Sequence, residues 1–400
     1  MPMKKIIKIL IIFSVTLLLT ACGSQLPYSR DLDEHDRPPG KIAIITDEWS
    51  TESYWVAELT NRHGEDNVLI YTWPIWRGDF PYDEMYAMFN EIAENAEIKV
   101  LIADFVWHRA ADHIIGTLKE QRDDIFVAYL EYQPDNDEAY ASPNANLVLE
   151  FDIEAIARIF PEKAKELGAD TLVYFYDSYV WSEDEIYVES EQHGMMREIS
   201  AKIGLTFVEI DIYGAIQCGS SYGMFMEETI PELLSEHGTD IVLFGLDNER
   251  VFWSWTGHGF IYLPMHHSAW FPPTPAEIAY ELSKRDYIAD SAKGIDNTAE
   301  LIEEIRAALE KRGLSGRVAS WPISTQLLFP LVAYEYGMKW MNNKVPKEGS
   351  DIYVLEQIIS DIIAEYTGLY RHGATLTALE ENGIIHENHM LVLMDYLIYS

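Results

Sequence analysis

Short apolar runs rich in β-branched residues alternate along the chain with stretches in which apolar residues recur at helical spacing. Continuous apolar runs of this length are typical of strands buried on both faces, so the alternation predicts an α/β fold with parallel sheets flanked by helices. The predicted strands are KIAIITD (41–47), NVLIYTW (67–73), KVLIADFV (99–106), DIFVAYLE (124–131), NLVLEFD (146–152), TLVYFYD (171–177), TFVEIDI (206–212) and DIVLFGLD (240–247). Helices are predicted near 183–203 and 222–236, and the amphipathic segments 351–366 and 388–398 predict a mostly helical C-terminal third.

The strands form two series of similar size, which predicts two Rossmann-like lobes joined by a hinge. The first lobe is expected over residues 41–150, with part of 265–340 returning to it. The second is expected over 151–260, with part of the helical C-terminal segment 340–400. The polar residues 23–40, GSQLPYSRDLDEHDRPPG, are rich in turn formers and predict a flexible tether, which with Cys22 spans 22–40.

The N-terminus has the layout of a secretory signal peptide. Lys4, Lys5 and Lys8 precede and interrupt an apolar run that closes on small residues at Thr20 and Ala21, which predicts a signal peptide over residues 1–21. The sequence Leu19-Thr20-Ala21-Cys22 resembles the lipobox of bacterial lipoproteins, in which the cysteine is acylated. This resemblance implies that a lipid on Cys22 holds the protein at the extracytoplasmic face of the cell membrane. An ordinary signal peptide with a chance cysteine is the alternative.

The chain is strongly acidic. Without residues 1–22, which hold three lysines and no acid, 26 basic residues face 66 acidic ones, and the formal charge changes from −37 to −40. Nucleic acid is therefore excluded as an expected partner, because phosphate binding needs a cationic surface. Once Cys22 is acylated, Cys218 is the only other cysteine, so no intramolecular disulfide is expected.

Acidic and aromatic residues recur where the predicted strands end. Ligands of open α/β sheets bind outside the carboxyl ends of the strands, so these residues are the candidates for a binding site. An acid after a strand can equally cap the next helix, whereas tryptophan does not cap helices. The predicted ligand-facing residues are Asp47, Trp49, Trp73, Asp104, Trp107, Glu131, Asp177, Tyr179, Trp181, Asp247 and Asn248, with Trp321 near a strand that crosses between the lobes.

Two sharper motifs point to other chemistry. Residues 219–223, GSSYG, match the G-x-S-x-G pattern of α/β-hydrolases, with Asp247 and His258 or His266 following in the required order, so an exported hydrolase that uses Ser221 is an alternative. An elbow turns directly from strand to helix, and here several residues separate the strand end near Ile212 from the motif, which favours a capping loop. His266-His267, and His386 with His389, lack a matching ligand set, so no metal is expected. No phosphate-binding glycine loop is present, and no cofactor is expected.

The predicted pattern resembles type I periplasmic binding proteins, the two-lobed components of ABC importers. The segments that carry this resemblance are PEKAKELGADTLVYF (161–175) and FGLDNE (244–249), where sugar-binding relatives place an Asn-Asp pair and this chain has Asp247-Asn248. More closely, STESYWVAELTNRHG (50–64), the same 161–175 segment and GRVASWPISTQLLFPLVAYEYGMKWM (316–341) resemble a domain-of-unknown-function family of bacterial lipoproteins with this fold. That family commonly has a Phe-Pro-Arg-His type sequence where this chain has Tyr176-Asp177-Ser178-Tyr179, which implies a different ligand.

The sequence therefore predicts a membrane-anchored, monomeric lipoprotein that binds a small ligand between two lobes and delivers it to an ABC permease. Aromatic rings would stack on the ligand and carboxylates would bind its polar or cationic groups, which suits a nucleoside-like, sugar-like or amine compound. Besides the hydrolase, the alternative is a lipoprotein that senses a ligand or scaffolds without transport.

Overall fold

The protein is described by a computed structural model. The described residues are 40–46, 54–74, 81–104, 106, 109–130, 141–176, 183–211, 222–244, 269–270, 274–284 and 298–400. All of them lie in one compact unit, Arg37–Ser400. Within these stretches, none of the helices has the length and apolar character needed to cross a bilayer.

The described elements alternate between strands and helices as the sequence predicts. The strands are β1 (Lys41–Thr46), β2 (Val68–Thr72), β3 (Ile98–Asp104), β4 (Phe126–Leu130), β5 (Leu147–Phe151), β6 (Thr171–Tyr176), β7 (Thr206–Asp211), β8 (Ile241–Phe244), β9 (Ala269–Trp270), β10 (Ala319–Ser320), β11 (Ala374–Glu381), β12 (Ile384–Met394) and β13 (Leu397–Ile398). The helices are α1 (Tyr54–His63), α2 (Tyr82–Glu94), α3 (Arg109–Gln121), α4 (Ile153–Glu166), α5 (Glu183–Ile203), α6 (Tyr222–His237), α7 (Pro275–Lys284), α8 (Thr298–Lys311), α9 (Thr325–Met341) and α10 (Ile352–Thr367). A short 3₁₀ turn, Glu65–Asn67, precedes β2.

The larger sheet has seven strands in the order β11-β12-β5-β4-β3-β1-β2. All neighbouring strands are parallel except β11 and β12, which form an antiparallel hairpin. Its central strands are buried on both faces, which explains their unbroken apolar sequences.

Two helical layers cover the larger sheet. On one face, residues of β1, β3, β4 and β5 share a core with α1, α9 and α10. On the other face, the alternate residues of the same strands pack with α2 and α3. Phe329 of α9 packs against Phe151 at the carboxyl end of β5, with ring centroids 5.5 Å apart. Trp340 of the same helix packs against Phe126 at the amino end of β4, at 5.7 Å. Helix α9 therefore runs antiparallel to the strands.

A second, smaller sheet has four parallel strands in the order β7-β6-β8-β9. Val173 and Phe175 of β6 share a core with helices α7 and α8, and Tyr174 faces the opposite side with Ala157 and Met196. The predicted α/β class, with mostly parallel sheets flanked by helices, is confirmed. The boundaries of the two predicted lobes stay a prediction.

The predicted helix over 388–398 is wrong, because this segment forms most of β12 and all of β13. Asn382 and Gly383 have φ values of 52° and 78°, and this left-handed pair makes the tight turn between β11 and β12. Alternate residues Met390, Val392 and Met394 then enter the core, which is a period of two. The other predicted helix, 351–366, is confirmed as α10, and it packs on the larger sheet.

Candidate ligand site at the carboxyl end of the larger sheet

The strand order of the larger sheet creates a crevice between β1 and β3. From β1 the chain crosses to β2 on one side and then returns to β3 on the other side. Crossover helices leave in opposite directions at such a point, and this opening at the carboxyl ends is where open α/β sheets bind ligands. The candidate site is therefore the edge formed by the last residues of β1 and β3.

Thr46 and Asp104 end these two strands and bond to each other. The Thr46 hydroxyl donates to Asp104 Oδ2 at 3.0 Å. Thr46 is fully buried and Asp104 is 7% exposed, so the carboxylate is fixed by a partner that cannot easily move away. Asp152, which follows β5, behaves differently, because its carboxylate accepts from Ala155 N at 2.8 Å and caps α4. An acid after a strand can cap the next helix or face a ligand. Asp152 caps a helix, whereas the Asp104 carboxylate is held by Thr46 across the crevice.

Trp73 lies across the same crevice. Its indole Nε1 donates to the carbonyl oxygen of Asp104 at 2.6 Å, and its backbone N–H donates to Thr46 O at 2.9 Å. Since β1 separates β2 from β3, the indole must reach over the carboxyl end of β1 to make the first of these bonds. The ring also packs against Phe89 of α2, with centroids 6.4 Å apart. Because its N–H is already used, the half-buried Trp73 can offer a ligand its ring.

Trp321 lies further along the same edge of the sheet. Its ring stacks on Phe151, the last residue of β5, with centroids 5.3 Å apart and planes 16° apart. β5 and β3 are separated by β4, which places Trp321 about two strand spacings, roughly 10 Å, from Asp104. Trp321 follows β10, which pairs with β13 near the C-terminus. The structure thus brings Trp73 and Asp104 together and leaves Trp321 against the core.

The segment next to Trp321 is held by the buried Tyr399. Ser320 Oγ lies 2.9 Å from Tyr399 OH, a hydrogen bond in which either hydroxyl could donate. Burial raises the pKa of Tyr399 and of Tyr396 well above the usual range, so both phenols stay neutral. The segment is therefore fixed by packing and neutral hydrogen bonds.

The remaining predicted site residues lie outside the described residues, and their roles stay predictions. They are Asp47, Trp49, Trp107, Glu131, Asp177, Tyr179, Trp181, Asp247, Asn248 and the lipidation site Cys22. The residues of the hydrolase alternative, Ser221 with Asp247 and His258 or His266, also lie outside the described residues, as does His267.

The described histidines do not suggest a metal site. His389 is fully buried, and its Nε2 lies 3.2 Å from Glu150 Oε2 on the neighbouring strand. His386 lies 3.8 Å from Glu381, on the hairpin. Across the described stretches, no group of three or more His, Cys, Asp or Glu side chains is arranged to hold a metal ion.

Sequence reasoning missed Thr46, whose hydroxyl donates to the Asp104 carboxylate. The available signal was its position, since Thr46 is the last residue of a buried strand and directly precedes Asp47. A hydroxyl at that position can donate sideways to an acid that ends the neighbouring strand.

Comparison with known proteins places the chain in a family and gives it structural neighbours. A crystal structure of a protein from Clostridium difficile 630, named as a candidate transcriptional regulator, matches with a TM-score of 0.67 and 18% identity, over 90% of this chain and 99% of that one. A periplasmic ribose ABC transporter protein from Conexibacter woesei DSM 14684 matches with a TM-score of 0.42 and 12% identity, over 91% and 93%. A solute-binding protein of a 5-methylthioribose transporter from Thermotoga lettingae TMO matches with a TM-score of 0.39 and 12% identity, over 81% and 85%.

The first of these similarities, at 18% identity, is one of fold. No curated protein matches the sequence. The family model that matches covers residues 41–318 and is described as a protein of unknown function, DUF3798. The sequence-based resemblance to a domain-of-unknown-function family is thus confirmed, and the chain belongs to the DUF3798 family.

Proposed function

We propose that this protein is a membrane-anchored solute-binding lipoprotein that captures a small ligand at the crevice between β1 and β3 and delivers it to an ABC importer. The observation that carries the proposal is the arrangement of Thr46, Asp104 and Trp73. It sets a buried, fixed carboxylate beside an aromatic ring at the position where an open α/β sheet binds its ligands.

This chemistry favours a ligand that donates hydrogen bonds and has an apolar face. A carboxylate accepts from hydroxyl or ammonium groups, and an indole ring packs against sugar rings, bases or cations. A strongly anionic ligand is disfavoured, because the acidic chain would repel it. The ligand class is therefore nucleoside-like, sugar-like or an amine.

Two further parts of the proposal rest on the sequence. The apolar leader that closes on Thr20-Ala21-Cys22 supports export and acylation of Cys22, which would place the ligand site outside the cell and near the membrane. A second predicted lobe, with Asp177, Tyr179 and Trp181 at its strand ends, would close over the ligand by a hinge motion and present the closed form to a permease.

The experiment that tests the proposal is thermal unfolding of residues 23–400 against a panel of nucleosides, sugars and amines. A ligand at a hundred times its dissociation constant adds about 2.7 kcal/mol to the free energy of unfolding, which is visible as a shift of the midpoint. Asp104→Asn removes the charge at nearly constant shape. We expect this variant to need a ligand concentration tenfold or more higher to reach the same shift of the midpoint.

The matched control is Asp152→Asn, since Asp152 is also a buried acid directly after a strand of the same sheet, and asparagine caps helices as well as aspartate does. This variant should keep the wild-type ligand response. A ligand whose shift survives Asp104→Asn would place the site elsewhere. A silent panel, together with no small molecule in the mass spectrum of the denatured protein, would contradict the proposal.

A further inference from the structure

A buried carboxylate in the first turn of α3 joins three parts of the chain near the carboxyl end of β4. Asp112 is 6% exposed, and its Oδ1 accepts from Tyr129 OH at 2.8 Å and from Ser142 Oγ at 2.6 Å. Tyr129 and Ser142 are buried as well. Tyr129 lies in β4 and Ser142 precedes β5, so one oxygen of Asp112 connects α3 to two other segments.

This carboxylate differs from that of Asp152, which accepts from a backbone N–H of its own helix. The donors to the Asp112 carboxylate within the described stretches are hydroxyl groups from other elements. Burying a carboxylate is costly unless hydrogen bonds compensate the loss of water. Because two donors from separate segments converge on one oxygen, these bonds fix the position of α3 more narrowly than apolar packing alone does.

A second residue lays the segment with Ser142 along α3. Asn144 Nδ2 donates to Asp112 O at 3.1 Å, and Asn144 N donates to Ser142 Oγ at 3.1 Å. A Cβ atom added at Gly116, about one turn further along α3, would lie 2.9 Å from Asn144 Oδ1. The glycine therefore permits a close contact, and the first turns of α3 are held both by β4 and by this segment.

The first turn of α3 is connected to the end of β3, where the candidate ligand site lies. Asp104 ends β3, and the next described residue, Val106, is fully buried in the same core as Ala111 of α3. Tyr129 pairs in register with Ala103, the residue before Asp104. The hydrogen bonds to Asp112 therefore restrain the backbone of Asp104 in two ways, through the helix that follows it and through the strand beside it.

The backbone of Asp104 in turn orients Trp73. The Asp104 carbonyl oxygen accepts from Trp73 Nε1 at 2.6 Å, across the carboxyl end of β1. The Trp73 ring also packs against the core that contains Tyr129 and Ala111. A shift of the Asp104 carbonyl would therefore turn or release the indole ring that the proposed function offers to a ligand.

We propose that Asp112 is a positioning residue of the candidate ligand site. Held by Tyr129 and Ser142, it fixes the start of α3 and thereby the Asp104 carbonyl and the Trp73 ring. Asp112 acts through these groups and does not itself contact the ligand. Its effect on ligand binding rests on the proposed function, whereas its effect on the Trp73 indole does not.

The indole proton of Trp73 reports this positioning directly. In residues 23–400 with isotope-labelled tryptophan, the Trp73 signal is the one that disappears from the spectrum of Trp73→Phe. Its exchange with deuterated water measures how often the bond to Asp104 O opens. We expect Tyr129→Phe and Asp112→Ala to speed this exchange about tenfold or more. Asp112→Asn keeps an oxygen that accepts from both hydroxyls and should retain near-wild-type exchange.

Tyr336→Phe is the matched control. Tyr336 of α9 is also fully buried, and its hydroxyl accepts from Asp351 N at 2.8 Å, so this variant loses a buried hydrogen bond elsewhere in the core. Urea denaturation gives the stability of each variant and so the exchange expected from global unfolding. If, beyond that, the Trp73 proton responds to Tyr129→Phe no more than to Tyr336→Phe, the proposal is overturned. If Asp112→Ala does not fold, Ser142→Ala takes its place.

Binding of adenosine, ribose and spermidine, one compound from each proposed ligand class, separates this proposal from the proposed function. A compound that binds wild type should bind Tyr129→Phe about tenfold or more weakly and should bind Asp112→Asn normally. Loss of binding in Asp112→Asn with unchanged indole exchange would show direct contact and overturn the positioning role. Weakened binding in Asp104→Asn but not in Tyr129→Phe would do the same while supporting the site. If wild type binds none of the three, the proposed function loses support, and the indole exchange alone decides the positioning role.

Discussion

Replacing Gly337 with alanine tests how closely helix α9 is seated on the larger sheet. A Cβ atom added at this position would lie 3.0 Å from Phe126 Cδ1 and 3.2 Å from both methyl carbons of Val100. Both neighbours are fully buried, Val100 in β3 and Phe126 in β4, two inner strands of the larger sheet. The glycine therefore allows the backbone of α9 to approach β3 and β4 more closely than any other residue would.

Two opposing effects set the magnitude. Alanine in place of glycine inside a helix gains about 1 kcal/mol of helix propensity. Inserting a methyl group into a packed core costs about 1–3 kcal/mol, because neighbouring side chains or the helix must shift. We expect Gly337→Ala to lower the free energy of unfolding by about 0–2 kcal/mol, in spite of the better helix former.

Gly194 provides the matched control. It lies inside α5, and a Cβ atom added there would meet nothing within 4 Å, so Gly194→Ala should gain the full propensity term of about 1 kcal/mol. In urea denaturation of the two variants, the free energies of unfolding should therefore differ by about 1–3 kcal/mol, with unchanged slopes. If Gly337→Ala gained as much as Gly194→Ala, α9 would not be closely seated, and the reasoning would fail.

Three further changes test the candidate site and the pH dependence of stability. Thr46→Val removes the donor to Asp104 Oδ2 and should lower the free energy of unfolding by about 1–3 kcal/mol, whereas Thr46→Ser, which keeps the hydroxyl, should lose less in the same urea titration. The hydrogen bond from Arg122 lowers the pKa of Asp124 from 3.8 to about 2. The ionised Asp124 therefore adds about 1 kcal/mol or less to the free energy of unfolding at this half-exposed position, and this contribution is present above pH 3.8 and is lost as the pH falls towards 2. Asp124→Asn should abolish that part of the acid dependence. Burial lowers the pKa of His193 below 6.5, so the unfolded chain binds more protons and stability falls as the pH drops through 6.5; thermal unfolding of His193→Phe should show a flatter slope there.

The central strands of both sheets could be predicted from the sequence for one physical reason. Strands that are buried on both faces must be apolar at every position, and this gives an unbroken signal that does not depend on partners distant in the chain. Segments 41–47 and 171–177 illustrate it, since their described parts, Lys41–Thr46 and Thr171–Tyr176, form β1 and β6.

The candidate site was predicted in part by position alone. Asp104 and Trp73 are prominent because they end strands that must meet at one edge of the sheet. Their bond to each other through the Asp104 carbonyl, and the contribution of Thr46, depend on which strands are neighbours. The order of the strands is a property of the assembled sheet, so these contacts could not follow from local sequence.

The C-terminal hairpin shows where local patterns give two answers. Residues 388–398 hold enough apolar side chains to fit either a helical or an alternating pattern, and the helical choice is wrong. The pair Asn382-Gly383, which precedes this segment, is the local signal for a hairpin, because it forms the left-handed turn that joins two strands. The bulge at 387–389 carries no comparable local signal, since it is held by contacts from Asn388 to residues more than 240 positions earlier in the chain. The turn therefore accounts for the existence of the hairpin, whereas long-range contacts set the direction of its outer part, residues 379–387.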